Sequence, residues 1–352
     1  MELALYCPDC GYYETKMDIG RRGDFYTSVS IGSLFGELLA CQFANWLEPE
    51  VRSRKSEVRI VEAGAHDGQL AKDILTWLQS SRPGLFGQIE YVIIEPSARH
   101  REWQRETLKS FANVRWSDNF QPIASSAPHS ALRTPQLNGV IFSNELLDAF
   151  PVHRFGWDAK NKTWFEWGVA IADDKFIWAK IPTPHSSFCT PQLEAVLPDG
   201  YTIETSPAAE NWWREAAGVL ARGKLLAIDY GFTADEMFSP ARTRGTLRAY
   251  FQHHVTDDIL ANPGDQDLTA HVNFSAIQIA GEGAGLKTES FLTQSQFLTQ
   301  ILGNALKTKS FSGLVASKRS EDGWSAKQAR QFQTLTHPEH LGSAFRVLVQ
   351  SR

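Results

Sequence analysis

Cysteine is scarce, with four in 352 residues. That excludes a disulfide-built scaffold. Cys7-Pro8-Asp9-Cys10 forms a CxxC, but only the scattered Cys41 and Cys189 remain as further thiols. A closed zinc site needs four well-spaced ligands, so no metal is expected. A redox CxxC opens a helix after a strand. This one sits in a Tyr-rich turn, and two reduced thiols in a loop are expected. A basic excess is also missing: 35 Lys and Arg stand against 40 Asp and Glu, a net charge of −5. A phosphate-gripping nucleic-acid binder carries the opposite balance. No run of about 18 apolar residues is present, so no membrane-spanning helix is expected. No charged segment followed by an apolar core opens the chain, so no secretion signal is expected and the setting is read as cytoplasmic, a reducing cytosol. The GxGxxG spacing of a dinucleotide site is absent, which disfavours an NAD dehydrogenase.

What is present is a globular composition, 42% hydrophobic and 21% charged, which excludes a disordered chain or a coiled coil. The length fits about two domains or one elaborated α/β domain. Ser30 to Leu47 reads as an amphipathic helix. An α/β rhythm follows: strand 58–63, helix 69–79, strand 90–94, helix 98–109, short strand 114–116, strand 139–143, helix 208–220 and strand 223–229. Short apolar runs alternating with helices imply a parallel sheet buried on both faces. Phe155 to Ile181, Trp-rich and alternating, reads as an inserted β-meander. Thr233 to Phe274, polar and carrying histidines, reads as a long functional insertion. The pattern resumes with strand 285–292, helix 294–306 and strand 345–349, an order compatible with an antiparallel last strand.

The sharpest local signal is Glu62-Ala63-Gly64-Ala65-His66-Asp67-Gly68. A strand ends beside an acidic residue, and glycines turn the chain into a helix, which permits φ > 0 and close backbone approach to a ligand. The turn resembles the E/DxGxGxG turn of class I S-adenosylmethionine (SAM) methyltransferases, with His66 at the middle glycine; a purely structural turn is the competing reading. The second strand ends at Glu95, where a carboxylate can accept both hydroxyls of a ribose; a solvated strand end competes. Asp118-Asn119, past the third strand, suit an adenine edge, against a turn-forming Asx pair. Asn144, Glu145 and Asp148 cluster after the fourth strand, where open α/β sheets bind ligands. Helix capping by Asn144 is the alternative there.

Several strings carry a resemblance over nearly the whole chain: Gly11-Tyr12-Tyr13, Gly23-Asp24-Phe25-Tyr26-Thr27-Ser28, Glu95-Pro96-Ser97, Asn144-Glu145-Leu146-Leu147-Asp148-Ala149-Phe150-Pro151-Val152, Glu204-Thr205-Ser206-Pro207, Ile228-Asp229-Tyr230-Gly231, Gly245-Thr246-Leu247-Arg248 and Asp267-Leu268-Thr269-Ala270-His271-Val272-Asn273-Phe274. Together they resemble the MidA family of SAM-dependent methyltransferases, which includes a mitochondrial protein arginine methyltransferase of respiratory complex I assembly. The resemblance implies an α/β, Rossmann-like class I methyltransferase fold: a mostly parallel seven-stranded sheet with helices on both faces and an antiparallel last strand. It implies an N-terminal helical cap over 1–50 and a core over 51–352, with insertions at about 155–205 and 232–284. The cofactor implied is S-adenosyl-L-methionine, with contacts from Glu62, Gly64, Gly68 and Glu95, and with Asp24, Thr27 and Ser28 nearby. Asn144, Glu145 and Asp148 are implied on the acceptor side, with His271 and Tyr230 completing the pocket. The implied activity is methyl transfer to a side-chain nitrogen of a protein, arginine by family, with a respiratory-complex subunit as the partner by analogy. An inactive assembly factor keeping the fold and a small-molecule methyltransferase are the other readings. His66 stands where the family has glycine, and the CxxC stands where relatives have His and an aromatic residue. Relatives carry a further N-terminal helix, so the start is expected to be truncated.

Overall fold

The computed structural model describes residues 1–16, 27–54, 58–121, 137–183, 194–240, 242–251, 254–256, 258–307 and 325–352. Asp24, the Gly-Asp-Phe string and Cys189 lie outside them. Along the chain the strands are β1 (Val58–Ala63), β2 (Ile89–Ile94), β3 (Val114–Ser117), β4 (Leu137–Asn144), β5 (His153–Asp158), β6 (Thr163–Ala172), β7 (Lys175–Pro182), β8 (Thr202–Thr205), β9 (Leu220–Phe232), β10 (Arg248–Phe251), β11 (His254–Thr256), β12 (Asp267–Thr269), β13 (Val272–Asn273), β14 (Lys287–Thr293) and β15 (Phe345–Ser351). The chain forms two compact units: residues 26–146, 213–229 and 280–352 in one, and residues 1–25, 147–212 and 230–279 in the other.

The first unit is built on one sheet in the order β14-β15-β9-β4-β1-β2-β3. β1, β2, β3, β4 and β9 run parallel. β15 is antiparallel to β14, and Gly223 and Arg352 exchange both backbone bonds, the antiparallel signature, between β9 and β15. This is the expected α/β class: a mostly parallel seven-strand path with a reversed last strand. Val, Ile and Leu fill β1, β2 and β4, which are buried along nearly their whole length. Continuous burial rather than alternation is what two covered faces require. Helix Leu34–Arg54 packs on helix Gln69–Ser81, β1 and β4, with Phe43 against Phe142 at 5.1 Å between ring centres.

Two helix boundaries differ from the sequence reading. The expected helix from Ser30 is a short 3-10 turn, Val29–Ile31, followed by helix Leu34–Arg54. Gly32 sits at φ 136, outside helical space, and breaks the run. At the other end the helix does not stop at Leu47 but continues through Pro49 to Arg54. One missing N–H near a helix end removes one bond and is tolerated here.

The second unit holds two antiparallel sheets, in the orders β7-β6-β5-β8 and β11-β10-β12. The Trp-rich segment is the meander that its alternation predicts, with Trp157 and Trp164 buried beside Phe155, Leu197, Tyr201 and Ile203. The polar segment after Thr233 supplies the three-stranded sheet. It shares a core of Leu247, Ala249, Ile259, Leu268 and Ala270 with Leu5 and Tyr12 of the N-terminal helices Glu2–Tyr6 and Tyr12–Thr15.

Candidate functional site

In the first unit the strand order reverses beside β1, with β2 on one side and β4 on the other. Loops leaving the carboxyl ends of β1 and β4 therefore diverge and leave a crevice, the place where open α/β sheets bind ligands. The turn after β1 fills one side of it. Gly64 sits at φ 77, His66 at φ 46 and Gly68 at φ 82. A Cβ on Gly64 would lie 3.1 Å from Leu146 Cδ1, so the backbone approaches the β4 loop closely. Gly68 caps helix Gln69–Ser81, and Asp67 Oδ1 accepts from Gln69 N at 3.0 Å.

Glu95, at the end of β2, is buried, and its environment is built by helix Ala98–Leu108. Its Oε1 accepts from Ser97 N at 2.9 Å and its Oε2 from Gln104 Nε2 at 2.9 Å. His100 Nδ1 stands 3.4 Å from Oε2. Gln104 does more than meet Glu95. The same Nε2 donates to the His66 carbonyl at 2.9 Å, and Trp116 Nε1 donates to Gln104 Oε1 at 2.8 Å. One fully buried amide thus ties the turn after β1 to the ends of β2 and β3. Sequence reasoning missed it. The available signal was its place on the inward face of a helix, four residues from His100 and four from Leu108, which are buried with it.

The His66 ring lies beside His100 and Trp103, with centroids 5.9 and 6.0 Å away. Asp118 and Asn119 are exposed. Asp118 pairs with Arg101, and Asn119 Oδ1 accepts from Gln121 N at 2.9 Å, the turn-forming arrangement. Thr27 and Ser30 bond each other across a tight turn. Ser28, fully buried, donates its N–H to Glu145 Oε1 at 3.1 Å and its hydroxyl to Gln294 Oε1 at 3.0 Å.

At the end of β4, Asn144 Nδ2 donates to Glu145 Oε1 at 3.0 Å. Glu145 sits at φ 53, held by its own N–H to Ile228 O at 2.9 Å. Burial pushes its carboxyl up to about 8, against the opposing pull of the Asn144 and Ser28 hydrogen bonds. Leu146 N donates to Asp229 Oδ2 at 3.1 Å, at the end of β9. Glu62 lies one residue before the turn and is buried; its Oε2 accepts the Tyr91 hydroxyl at 2.5 Å. Three polar atoms here are buried without a hydrogen-bond partner: His66 Nε2, Ser143 Oγ and Asn144 Oδ1. Buried polar atoms without partners are costly. Orphans at the strand ends, beside a glycine turn and the Glu95 carboxylate, fit a polar adenosyl and amino-acid ligand.

The second unit holds the remaining expected residues. Asp148 is buried in a 3-10 turn, Leu147–Ala149, and its carbonyl accepts from Ala270 N at 2.9 Å. Tyr6 donates to Ala149 O at 2.9 Å, and Tyr13 to Asp267 Oδ1 at 2.8 Å. His271 stacks on Phe232 at 4.7 Å with the rings nearly parallel, and Tyr230 stands edge-on at 6.3 Å. Burial first, then Arg242 and Arg248, push its imidazole down to about 4, so it is neutral at pH 7. The His271 backbone N–H donates to Thr246 Oγ1 at 3.1 Å. Thr246 in turn donates its N–H to Glu204 Oε2 at 2.7 Å, and Arg154 stands 3.3 Å from Glu204 Oε1. The strings around Glu204 and Gly245 thus serve one buried carboxylate. The structure brings Asn144 and Glu145 together in one unit, and Asp148 and His271 in the other.

Comparison with known proteins gives the family. The sequence profile of S-adenosyl-L-methionine-dependent methyltransferases matches residues 38–292. A Burkholderia thailandensis protein of known crystal structure, bound to S-adenosyl-homocysteine, is 32% identical, with all of this chain and 86% of that chain covered at a TM-score of 0.77. Among curated proteins, the mitochondrial protein arginine methyltransferase NDUFAF7 homolog of Drosophila melanogaster is 27% identical over 99% of this chain and 79% of its own length. Human NDUFAF7 is 27% identical over 98% of this chain and 77% of its own length. Among the described residues no helix is long and apolar enough to cross a membrane. The glycine turn after β1, the buried Glu95 and the profile match over most of the chain lead to one conclusion: the chain belongs to the MidA-like family of S-adenosyl-L-methionine-dependent methyltransferases, and S-adenosyl-L-methionine is its cofactor.

Proposed function

We propose that this methyltransferase acts on a side-chain nitrogen of a protein, with arginine as the acceptor. The observation that carries the reading is the likeness, over nearly the whole chain, to relatives named as protein arginine methyltransferases. The carboxyl groups at the end of β4 and in the following turn support it. Arginine stays protonated in water, and a carboxyl group is the natural partner for its fork of donors.

S-adenosyl-L-methionine supplies an electrophilic methyl group on a sulfonium. The chain's own task is to bind, orient and exclude water, since positioning alone can supply much of the rate. In this proposal Gly64, Gly68 and the helix start after them receive the amino-acid end. Glu95 takes the ribose hydroxyls, positioned by Gln104. Glu62 acts through Tyr91 as a support of β1 rather than by direct contact. Thr27 and Ser28 shape the entrance, and Asp118 and Asn119 border the adenine side. Asn144 and Glu145, joined by a hydrogen bond at 3.0 Å, bind and polarise the acceptor nitrogen. Asp148 and His271, both of the second unit, are further candidates for the acceptor side, each to be tested by its own substitution. The cytoplasmic setting stays part of the proposal; the named relatives are mitochondrial, and fractionation of the source cells distinguishes the two.

The test has two stages. Calorimetric titration with S-adenosyl-L-methionine and S-adenosyl-homocysteine is expected to show binding that Glu95→Ala abolishes. Incubation with labelled S-adenosyl-L-methionine and an extract of the source cells is then expected to label protein, with methylarginine after hydrolysis. Label confined to small molecules would overturn the protein-acceptor reading and leave the cofactor site intact.

A further inference from the structure

Cys7 and Cys10 sit on the turn joining helix Glu2–Tyr6 to helix Tyr12–Thr15. Cys10 Sγ donates to Cys7 Sγ at 3.1 Å; Cys10 is exposed and Cys7 partly so. Backbone bonds hold the sulfurs together. Cys10 N and Gly11 N both donate to Cys7 O, at 3.3 and 2.7 Å. Gly11 is required there, because a Cβ would lie 2.5 Å from Cys7 N. The flanking strand and helix of an ordinary redox motif are missing, but this turn performs their task of pairing the thiols. The asymmetry is that of a nucleophile and its resolving partner. The Cys10 hydrogen bond, then the Asp9 and Cys10 N–H groups, hold the Cys7 thiol below its ordinary value. The same bond raises Cys10. Cys41 is the contrast: buried and pushed up to about 11 by that burial, it is an inert thiol.

We propose that Cys7 and Cys10 form a reversible thiol–disulfide site that exchanges with small-molecule disulfides, independently of the methyl-transfer reading. In the first step the Cys7 thiolate attacks one sulfur of the small disulfide. A mixed disulfide forms, and one small thiolate leaves and takes up the proton given by Cys7. In the second step the Cys10 thiolate attacks Cys7 Sγ, the protein disulfide closes, and the second small thiol leaves with the Cys10 proton. The protein dithiol loses two electrons and the small disulfide gains them. The sulfurs move from 3.1 Å to the roughly 2.05 Å of a disulfide.

The turn is wired to the rest of its unit. Gly264, at φ 89, lies so close that a Cβ there would be 2.3 Å from Cys10 O. Lys16 pairs with Asp265 at 3.0 Å, and Tyr13 bonds Asp267. The turn therefore meets Gly264 through its backbone, and the helix that follows it meets Asp265 and Asp267 through side chains.

The test uses the full chain, equilibrated without oxygen in mixtures of oxidised and reduced glutathione, then alkylated and mapped by peptide mass. The peptide carrying both cysteines is expected to shift, in proportion to the glutathione ratio, from two alkyl groups to a disulfide lacking both. Excess reduced glutathione should reverse the shift, with the buried Cys41 never carrying glutathione. Cys10→Ser is expected to accumulate glutathione on Cys7, and Cys7→Ser to react about tenfold more slowly, as a thiol without the activating bond. Two alkyl groups at every ratio, or a separate glutathione on each cysteine, would overturn the proposal. Equal rates in the two variants would overturn the assignment of Cys7 as nucleophile.

Discussion

Tyr91 on β2 donates its phenolic hydrogen to the Glu62 carboxyl on β1 at 2.5 Å, inside the parallel sheet. Burial pushes Glu62 up to about 8, outweighing the downward pull of that bond, with the Asp67 charge adding to the rise. In the unfolded chain the same carboxyl releases its proton near 4.3, a value of about 4. Between the two values the folded state holds more protons. Stability from this group is therefore fully present below about pH 4.3 and is lost as pH rises toward about 8. Urea midpoints are expected to fall across that window and to fall less steeply in Glu62→Gln. Parallel profiles for the two proteins would refute the assignment.

Glu145 has the same raised value from a different setting. Glu145→Gln keeps an oxygen to accept from Asn144 Nδ2 and Ser28 N, so melting and cofactor affinity are expected to change little. Assayed above pH 8, where this carboxyl is ionised, methyl transfer to the protein acceptor is expected to fall about tenfold or more, the scale of a lost charge-assisted hydrogen bond. Equal losses in binding and transfer would remove Glu145 from the acceptor side.

Gln104 offers a sharper test of how the cofactor side is held. Gln104→Glu sets a second carboxyl against Glu95 and removes the donor to the His66 carbonyl. Affinity for S-adenosyl-homocysteine is expected to drop about tenfold, while Gln104→Met, apolar and similar in volume, separates lost packing from lost bonding. Calorimetry beside thermal melting reads both. Unchanged affinity in a folded Gln104→Glu protein would refute the positioning role.

Gly245 carries the clearest steric prediction. It sits at φ 71, and a Cβ there would lie 2.1 Å from Glu204 Oε1. Gly245→Ala combines backbone strain with displacement of a buried carboxylate, and a loss of about 2–4 kcal/mol is expected by denaturant unfolding.

Much of the sheet was legible because its strands are apolar runs bounded by turn residues. β1 falls at 58–63 as expected, and helix Gln69–Ser81 starts at the expected residue because Gly68 announces it. The glycine turn, Glu95 and Asn144 could be read for the same reason: each closes a strand at the sheet end where ligands gather. Other features escaped because they depend on distant partners. Gln104 looks like any polar helix residue until Trp116 and the His66 carbonyl are placed around it. Asp118 looks like a solvent-facing turn residue until Arg101 is placed beside it. The strands β10 to β12 are three or four residues long, too short for alternation to register.

The N-terminal helices place an unusual demand on synthesis. Leu5 and Tyr12 are fully buried, yet the partner of Tyr13 lies 254 residues downstream. At ribosomal speeds of about 5–20 residues per second, that partner emerges only after an interval on the order of tens of seconds. Through that interval this stretch of the nascent chain carries its apolar side chains without their downstream partners, open to chaperones.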